Sequence, residues 1–400
     1  MVSIERPEMC TGCTACSSVC PNDCIEMTAD DEGFKYPKVN KIMCNDCQLC
    51  ESVCSVEKLN QLDKKQTIIY AVQSKDDNAR QISSAGGFFR VVSEYVLDLN
   101  GVVFGAGFDD ELMVCHDSVQ SMVELANSSL CGSKYVQSDL GNCFRKVKKN
   151  LLSGRMVSFS GLPCQVAGLK TFLGKDYDNL ILIDLTCYGA PSPKLYKMYL
   201  EYCAYKYNSR VAKVNFRDKS YGYSSPNMRL ELENGLVKEQ NSTVKSFIRT
   251  FFSGISSRPS CYNCAFKTVE RVSDFTLGDC KNIGRFHKDL DDDIGTTVVY
   301  VHSIKGREVI SRMKNHMLVK TMDIEDVLNT CGKKMIESDI ENPLRKEFFA
   351  DIDKLSYEKL IKKYVPESKH EKIANIVKPL MYRMGFVKYG VLKKLMTLKK

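Results

Sequence analysis

The chain has 400 residues, of which 44% are hydrophobic and 26% are charged. That balance is ordinary for a folded protein and excludes a mostly disordered chain. At roughly 100–200 residues per domain, the length predicts about two or three domains. The formal net charge of +8 is unevenly spread, because residues 361–400 carry 11 basic and only 2 acidic side chains. Basic stretches interleaved with aromatic residues are absent, so we expect no nucleic-acid partner.

The beginning of the sequence lacks the apolar stretch of a signal peptide, and no run approaches the ~20 apolar residues that span a bilayer. We therefore expect a cytoplasmic protein. The sequence has 19 cysteines, and nine of them lie within the first 54 residues. Since disulfides rarely persist in a reducing compartment, clustered cysteines predict metal or redox chemistry.

Two cysteine runs in residues 1–60 share the spacing C-x2-C-x2-C-x3-C. This spacing is typical of ferredoxins with two 4Fe-4S clusters, in which the fourth cysteine of each run binds the other cluster. The predicted ligands are Cys10, Cys13, Cys16 and Cys54 for one cluster, and Cys44, Cys47, Cys50 and Cys20 for the second. A pair of four-cysteine zinc sites is the alternative. Cys24 is either a packed thiol or a neighbour of a cluster.

Strands and helices alternate after a polar linker at residues 61–66. A strand-like run at residues 67–72 precedes a helix that has apolar residues from Phe88 to Leu99 at helical spacing, and the alternation continues to about residue 185. We predict an α/β (α+β) fold: a two-cluster ferredoxin-like module at 1–60, a mostly parallel α/β domain at 67–335 with a hairpin insertion at about 211–240, and a helical basic extension at 336–400.

Two short stretches offer groups suited to a cofactor. The first opens the amphipathic helix, where serine caps, glycines and free N–H groups suit a diphosphate; an ordinary capped helix is the alternative. The second combines hydroxyls, a positive charge and an aromatic ring. The candidates are Ser84, Gly86, Gly87 and Phe88 in the first stretch, and Ser133, Lys134 and Tyr135 in the second. A G-x-G-x-x-G motif opening a helix is absent, so a Rossmann nicotinamide site is not supported.

Four later cysteines predict a third metal site. Cys164 and Cys187 each follow a predicted strand of one βαβ unit, so both belong to the edge of the sheet where ligands bind. Cys261 and Cys264 form a C-x2-C pair, and together the four thiolates suffice for a third 4Fe-4S cluster. Three alternatives remain: Cys164 as a nucleophile at a helix start, Cys187 as a core thiol, and the C-x2-C pair in a zinc site. Cys280 is a possible substitute ligand.

Several segments together resemble the beta subunits of coenzyme F420-reducing hydrogenases and dehydrogenases. They are Ser-Ala-Gly-Gly-Phe at 84–88, Gly-Ser-Lys-Tyr-Val-Gln-Ser at 132–138, Gly-Leu-Pro-Cys-Gln at 161–165 and Ser-Asp-Phe-Thr-Leu-Gly-Asp at 273–279. Residues 30–37 resemble the ferredoxin extension of many bacterial members. The resemblance covers about residues 5–305.

The resemblance implies FAD in the α/β domain beside a 4Fe-4S cluster on Cys164, Cys187, Cys261 and Cys264. It also implies a flavin and substrate pocket at the two candidate stretches and at Gly278 and Asp279, with Lys134 as the candidate catalytic residue. The implied function is an oxidoreductase that passes electrons from a donor such as ferredoxin, through three clusters and FAD, to an organic substrate. That substrate is coenzyme F420 or a biosynthetic intermediate, for example in polysaccharide biosynthesis. The alternative is an electron-transfer subunit of a larger complex without its own substrate.

The end of the sequence predicts basic amphipathic helices. Their apolar positions are Ile373, Ile376, Val377, Leu380, Met381 and Met384, then Val387, Val391, Leu395 and Leu398. Pro379 interrupts the first run and suggests a kink. A basic amphipathic helix suits peripheral contact with an anionic membrane or docking of an acidic ferredoxin. Packing of the apolar face against the core is the third interpretation.

Overall fold

The structure is a computed structural model that describes residues 7–58 and 67–383. Its first part has two short helices around a two-stranded antiparallel sheet. The elements are α1 (Ala15–Val19), β1 (Ile25–Ala29), β2 (Lys35–Val39) and α2 (Leu49–Ser52). Each cysteine run leads into one of the two helices, so each helix carries part of one run.

The rest of the described chain contains two sheets. Their strands are β3 (Ile68–Ser74), β4 (Val102–Phe108), β5 (Val114–Val119), β6 (Val157–Ser160), β7 (Leu180–Leu185), β8 (Val211–Asp218), β9 (Asn227–Leu232), β10 (Val237–Glu239), β11 (Phe275–Asp279), β12 (Thr297–Val301) and β13 (Met317–Met322). The large sheet has the order β13-β3-β12-β11-β7-β6-β4-β5. Strands β8 to β10 form an antiparallel sheet at the position of the predicted insertion.

The α/β class is confirmed, but the large sheet is mixed rather than mostly parallel. Parallel pairing joins β4, β6, β7 and β11 at its centre, whereas β5, β12, β3 and β13 pair antiparallel. The reason is local. The alternation of strands and helices that indicates parallel pairing covers only the central strands, and β5 follows β4 through a short hairpin connection.

Helices cover both faces of the large sheet. The remaining helices are α3 (Asp77–Ile82), α4 (Phe88–Asp98), α5 (Met122–Asn127), α6 (Cys143–Leu152), α7 (Pro163–Leu173), α8 (Pro193–Tyr207), α9 (Ser242–Phe252), α10 (Ile304–Met313), α11 (Ile324–Thr330), α12 (Arg345–Ala350), α13 (Tyr357–Tyr364) and α14 (Lys369–Arg383). Ile181 and Ile183 of β7 pack with α4 and α10, while Leu180 and Leu182 pack with α6 and α7. Alternate residues of one strand therefore serve opposite cores.

The N-terminal module is held by residues from the far end of the chain. Phe34 shares a core with Phe348 and Leu360 of helices α12 and α13. Arg345 of α12 forms an ion pair with Glu32, and its Nη1 donates to Glu32 Oε1 over 2.9 Å. Ser192 Oγ donates to the Glu32 carbonyl. The start of the predicted C-terminal extension is thus part of the folded core.

Helix α14 continues through Pro379 as far as Arg383. Its predicted apolar positions Ile373, Ile376 and Leu380 are 61%, 66% and 53% exposed, so the packing interpretation does not describe this face. Polar contacts to α9 hold the helix instead, including Lys245 Nζ to Asn375 Oδ1 at 2.7 Å. Met384 and the second predicted stretch lie outside the described residues. None of the helices described combines the length and apolar character needed to cross a bilayer.

Candidate active site

A cavity of about 250 Å³ lies at the edge where the central parallel strands end. Ser160 ends β6, Leu185 ends β7 and Asp279 ends β11, and all three line the cavity. The loops after these strands supply most of the remaining wall. This is the edge at which open α/β sheets bind their ligands.

Most of the predicted cofactor residues lie around this one cavity. Those that line it are Ser84, Gly87, Phe88, Ser133, Lys134, Tyr135, Gly278 and Asp279. The exception is Gly86, which packs between β3 and β12. A Cβ there would lie 2.2 Å from the Val72 carbonyl oxygen and 2.6 Å from the Thr297 nitrogen. Gly86 therefore permits a close backbone contact and does not face the cavity.

The start of helix α4 differs from the predicted serine cap. Its N-cap is Gly87, which has φ 87° and offers no side chain to the first turn. Ser84 Oγ instead lies 2.7 Å from Ser133 Oγ, so this hydrogen bond joins the two candidate stretches. The first-turn N–H groups lack a side-chain cap beside the cavity, which is the arrangement that suits an anion.

Lys134 is enclosed by backbone carbonyls. Its ammonium donates to the carbonyls of Ser129, Cys131 and Gly132, and Nζ lies 5.7 Å from the centre of the Phe108 ring. Within residues 7–58 and 67–383, no carboxylate forms an ion pair with it. Burial lowers the pKa of Lys134 to about 7. Its charge therefore changes near neutral pH.

Arg217 is a contributor that the sequence did not indicate. It projects from β8 with a side chain only 5% exposed and forms an ion pair with Asp279. Its Nε and Nη2 have no hydrogen-bond partner among the described residues. The alternating pattern of residues 211–240 predicts strands but carries no signal for this contact.

Two of the family-like segments are joined by the side chain of Gln165. Its Oε1 accepts from the Leu162 N–H at 2.8 Å, and its Nε2 donates to Ser138 Oγ at 2.9 Å. Ser138 Oγ also lies 2.9 Å from His116 Nδ1. Burial lowers the pKa of His116 to about 4, so this ring is neutral at physiological pH. The network fixes the loop that leads into Cys164.

The four cysteines predicted to bind the third cluster line a second, smaller cavity. They are Cys164, Cys187, Cys261 and Cys264. Cys187, Leu162 and Ala190 line both cavities, so the two share a wall. Cys280 lies elsewhere, buried beside Cys331, and the substitute-ligand alternative is not supported by this placement.

The electrostatics of this second cavity suit a metal cluster. Burial raises the pKa of the Cys164 thiol well above its ordinary value, and the neighbouring thiols raise it further. Lys267 and Arg271 also line the cavity, and Lys267 Nζ donates to the Cys187 carbonyl over 2.5 Å. Neighbouring buried thiolates repel one another, whereas iron bound to them stabilises their ionised form. The donor set therefore fits a 4Fe-4S cluster.

The cysteines of the N-terminal module form two sets in space. In each set, three cysteines come from one run and the fourth comes from the other run. Burial raises the pKa of Cys13, and so do the charges of Cys10 and Cys54, which places Cys54 with the first run. A separate cavity is lined by Cys20, Cys44, Cys47 and Cys50. Cys24 lines it too, with its Sγ 3.2 Å from Cys20 Sγ. Cluster binding by these sets stays a prediction at the level of individual residues.

The distances between the thiols can be compared with those that a four-cysteine zinc site requires. In the part of the chain that the structure describes, no group of three or more His, Cys, Asp or Glu side chains is arranged to hold a single metal ion. A zinc ion needs four ligands within about 2.3 Å of one centre. A four-iron cluster binds each thiolate through a different iron, so it accommodates more widely separated sulfurs.

The first set of thiols lies against the third. A Cβ on Gly168 of α7 would lie 2.7 Å from Cys13 Sγ, and Gly168 is one helical turn beyond Cys164. Arg258, three residues before Cys261, donates through Nε to the Cys10 carbonyl at 2.6 Å and through Nη2 to the Lys35 carbonyl at 3.0 Å. The module therefore docks directly beside the second cavity.

Comparison with known proteins identifies two regions of this chain that match family models. Residues 154–327 match the family model for the C terminus of the coenzyme F420 hydrogenase/dehydrogenase beta subunit. Residues 9–58 match the model of the 4Fe-4S dicluster domain. A similar solved structure is a chain of the xenon-derivatized F420-reducing NiFe hydrogenase complex from Methanosarcina barkeri, with 18% identity, a TM-score of 0.44 and coverage of 76% of this chain and 93% of that chain. Among curated proteins, none matches this chain.

The two family matches cover both regions in which the predicted cluster ligands lie. The first includes Cys164, Cys187, Cys261 and Cys264, and the second includes both N-terminal runs. The chain therefore carries a 4Fe-4S dicluster domain at residues 9–58 and, at residues 154–327, the C-terminal domain of the coenzyme F420 hydrogenase/dehydrogenase beta subunit family.

Proposed function

We propose that this chain is an iron–sulfur flavoprotein oxidoreductase. Electrons from a donor such as ferredoxin enter at the two clusters of the N-terminal module, pass through a third cluster on Cys164, Cys187, Cys261 and Cys264, and reach FAD in the 250 Å³ cavity. The flavin then reduces a small organic substrate. The observation that carries this proposal is the linear order of the thiol sets and the cavity.

The order rests on two contacts. Cys13 of the first set lies against Gly168 in the helix that carries Cys164. Cys187 of the third set lines the larger cavity as well as its own. Clusters transfer single electrons and a flavin collects two, so a row of clusters ending at a flavin pocket links one-electron donors to two-electron chemistry.

The residues around the cavity fit part of a flavin. The uncapped start of α4 suits its diphosphate. Ligand pockets commonly measure about 300–1,000 Å³, so a cavity of about 250 Å³ would hold part of a flavin dinucleotide rather than all of it. When bound, FAD supplies two-electron transfer. Lys134 then places a positive charge beside the ring system and stabilises an anionic form of it.

The substrate belongs to the classes that the family suggests. Coenzyme F420 is one candidate, and a biosynthetic intermediate, for example in polysaccharide biosynthesis, is the other. Tyr188 is 39% exposed and lines the cavity, which leaves an aromatic surface at its opening for a planar substrate. The Arg217–Asp279 ion pair supplies charge on the same wall.

A second candidate function is an electron-transfer subunit without its own substrate. The match of residues 154–327 to a family of hydrogenase and dehydrogenase subunits favours it. Under this proposal the chain copurifies with a larger catalytic subunit, and its flavin exchanges electrons with that partner. The N-terminal dicluster domain favours the first proposal, because it already provides an entry point for electrons.

Anaerobic purification followed by iron, sulfide and flavin analysis tests the proposal. Three four-iron clusters give about twelve irons per chain, and we expect one FAD. Mixing with chemically reduced ferredoxin should bleach the flavin in a stopped-flow experiment. Cys261→Ser should remove about four irons and prevent fast bleaching, whereas Cys143→Ala, in the buried core of α6, should change neither. Flavin-free protein, or unchanged bleaching in Cys261→Ser, contradicts the proposal.

A further inference from the structure

Two cysteines outside the three predicted cluster sites lie next to each other. Cys331 Sγ is 3.8 Å from Cys280 Sγ. Cys280 directly follows Asp279 at the end of β11 and is fully buried, whereas Cys331 directly follows α11 and is partly exposed. Cys331 lines the 250 Å³ cavity. One thiol of the pair therefore faces the cavity and the other lies behind it.

The surroundings make Cys280 reachable through Cys331. Cys280 packs in an apolar cluster with Tyr300 and Val327, and Cys331 lies at the boundary of that cluster. Gly332 explains why the end of α11 approaches so closely, because a Cβ there would lie 2.6 Å from Tyr300 Oη. A larger residue at position 332 would move Cys331 away from Cys280.

The geometry suits formation of a disulfide. The S–S bond is about 2.05 Å, so the two sulfurs have to approach by roughly 1.8 Å from their separation of 3.8 Å. Cys331 directly follows a seven-residue helix, Ile324–Thr330, so the closing movement falls at the end of a short helix. The hydrogen bond between the two thiols lowers the pKa of Cys331 and raises the pKa of Cys280. Cys331 is therefore the more nucleophilic thiol.

We propose that Cys331 and Cys280 form a redox-active dithiol whose oxidant is a small-molecule disulfide that reaches the partly exposed Cys331. The Cys331 thiolate attacks one sulfur of the disulfide, forms a mixed disulfide and releases one thiol. The Cys280 thiol then loses its proton and attacks the Cys331 sulfur, which releases the second thiol. The protein loses two electrons and two protons, and the small molecule gains both. This chemistry goes beyond the proposed electron path.

Mass spectrometry of the intact, anaerobic holoprotein tests the proposal. The protein is treated with 2-hydroxyethyl disulfide, quenched in acid, alkylated and digested without reductant. We expect one linked peptide pair that contains Cys280 and Cys331. Cys143→Ala removes a buried core thiol and should leave that link unchanged. The readout is a covalent mass and needs no bound flavin, so it is separable from failure of the proposed function.

The two single variants distinguish the roles of the thiols. Cys280→Ser should accumulate the mixed disulfide on Cys331, because the resolving thiol is missing. Cys331→Ser should leave Cys280 unmodified, since Cys280 is fully buried. The proposal is overturned if no Cys280–Cys331 link forms, if it forms only as iron is lost, or if Cys280 is modified equally well without Cys331.

Discussion

The N-terminal module and the edge of the large sheet gather their thiols in opposite ways. In the module, the eight predicted ligand cysteines fall within residues 10–54, and the two runs share the same backbone conformation. Gly12 and Thr14 have φ 67° and 64°, and the equivalent Asp46 and Gln48 have φ 56° and 60°. At the sheet edge, the four predicted ligands come from three separate segments: Cys164 from the first turn of α7, Cys187 from the loop after β7, and the pair Cys261 and Cys264 from a later connection. The first arrangement depends on local spacing, and the second depends on the parallel pairing of β6 with β7.

The largest expected effect tests the exchange of fourth cysteines within the module. Cys20 belongs to the first run in sequence but lies with the second set in space. Cys20→Ser should therefore remove about four irons and leave the cluster on Cys10, Cys13, Cys16 and Cys54. Electron paramagnetic resonance of the reduced protein identifies which signal disappears. Loss of the first cluster instead would show that each run binds its own cluster.

A substitution of Lys134 tests whether the cavity at the sheet edge binds a flavin. Its pKa is lowered to about 7 by burial, so the ammonium is charged below pH 7 and loses its proton above it. Affinity for an anionic flavin should therefore fall as pH rises through about 7. Lys134→Gln should lose about 1.5–3 kcal/mol of binding at pH 6 and show a flat pH profile, with unchanged iron. Equal pH dependence in both proteins, measured by flavin fluorescence, would exclude this role.

Gly168 tests the contact between the two regions. Gly168→Val should push Cys13 away, since even a Cβ would lie 2.7 Å from its sulfur. Overpacking of this kind costs about 1–3 kcal/mol and should slow electron transfer from the module to the flavin more than it changes iron content. Lys149→Val is a suitable control, because it places the same side chain at an exposed position of α6. Transfer as fast as in the wild type would show that the contact is not on the path.

The smallest expected effect concerns the ion pair between Glu32 and Arg345. Glu32→Gln keeps the shape and removes the charge opposite a guanidinium that is nearly buried. Because Glu32 is partly exposed, we expect a loss of only about 1 kcal/mol in the free energy of unfolding. Thermal unfolding measures it, and Asp31→Asn, at the neighbouring position, serves as a comparison. A loss restricted to the comparison variant would contradict the assigned role.

The same contrast explains what could be predicted from the sequence. The sorting of the module's cysteines follows from their spacing. Eight of the nine cofactor candidates lie around one cavity because they occupy loops or the ends of strands and helices at one edge of the sheet. The contributions of Arg217 and Cys331 to the site could not be predicted. The hydrophobic pattern of the sequence around each residue indicates only which positions are buried and gives no sign of a contact with the site. Gly86 is the one cofactor candidate that the structure places elsewhere. The sequence alone does not distinguish a glycine required for close packing against a neighbouring strand from a glycine required for close approach of a ligand.

The contact between Glu32 and Arg345 has a consequence for synthesis of the protein. The two residues are 313 positions apart. At about 5–20 residues per second, the ribosome needs roughly 15–60 s to reach Arg345 after Glu32 has been made. During that interval the N-terminal module lacks the contacts that the last helices make with it. We expect cluster loading of the module to precede its docking, so that the last helices of the chain close over a finished cofactor.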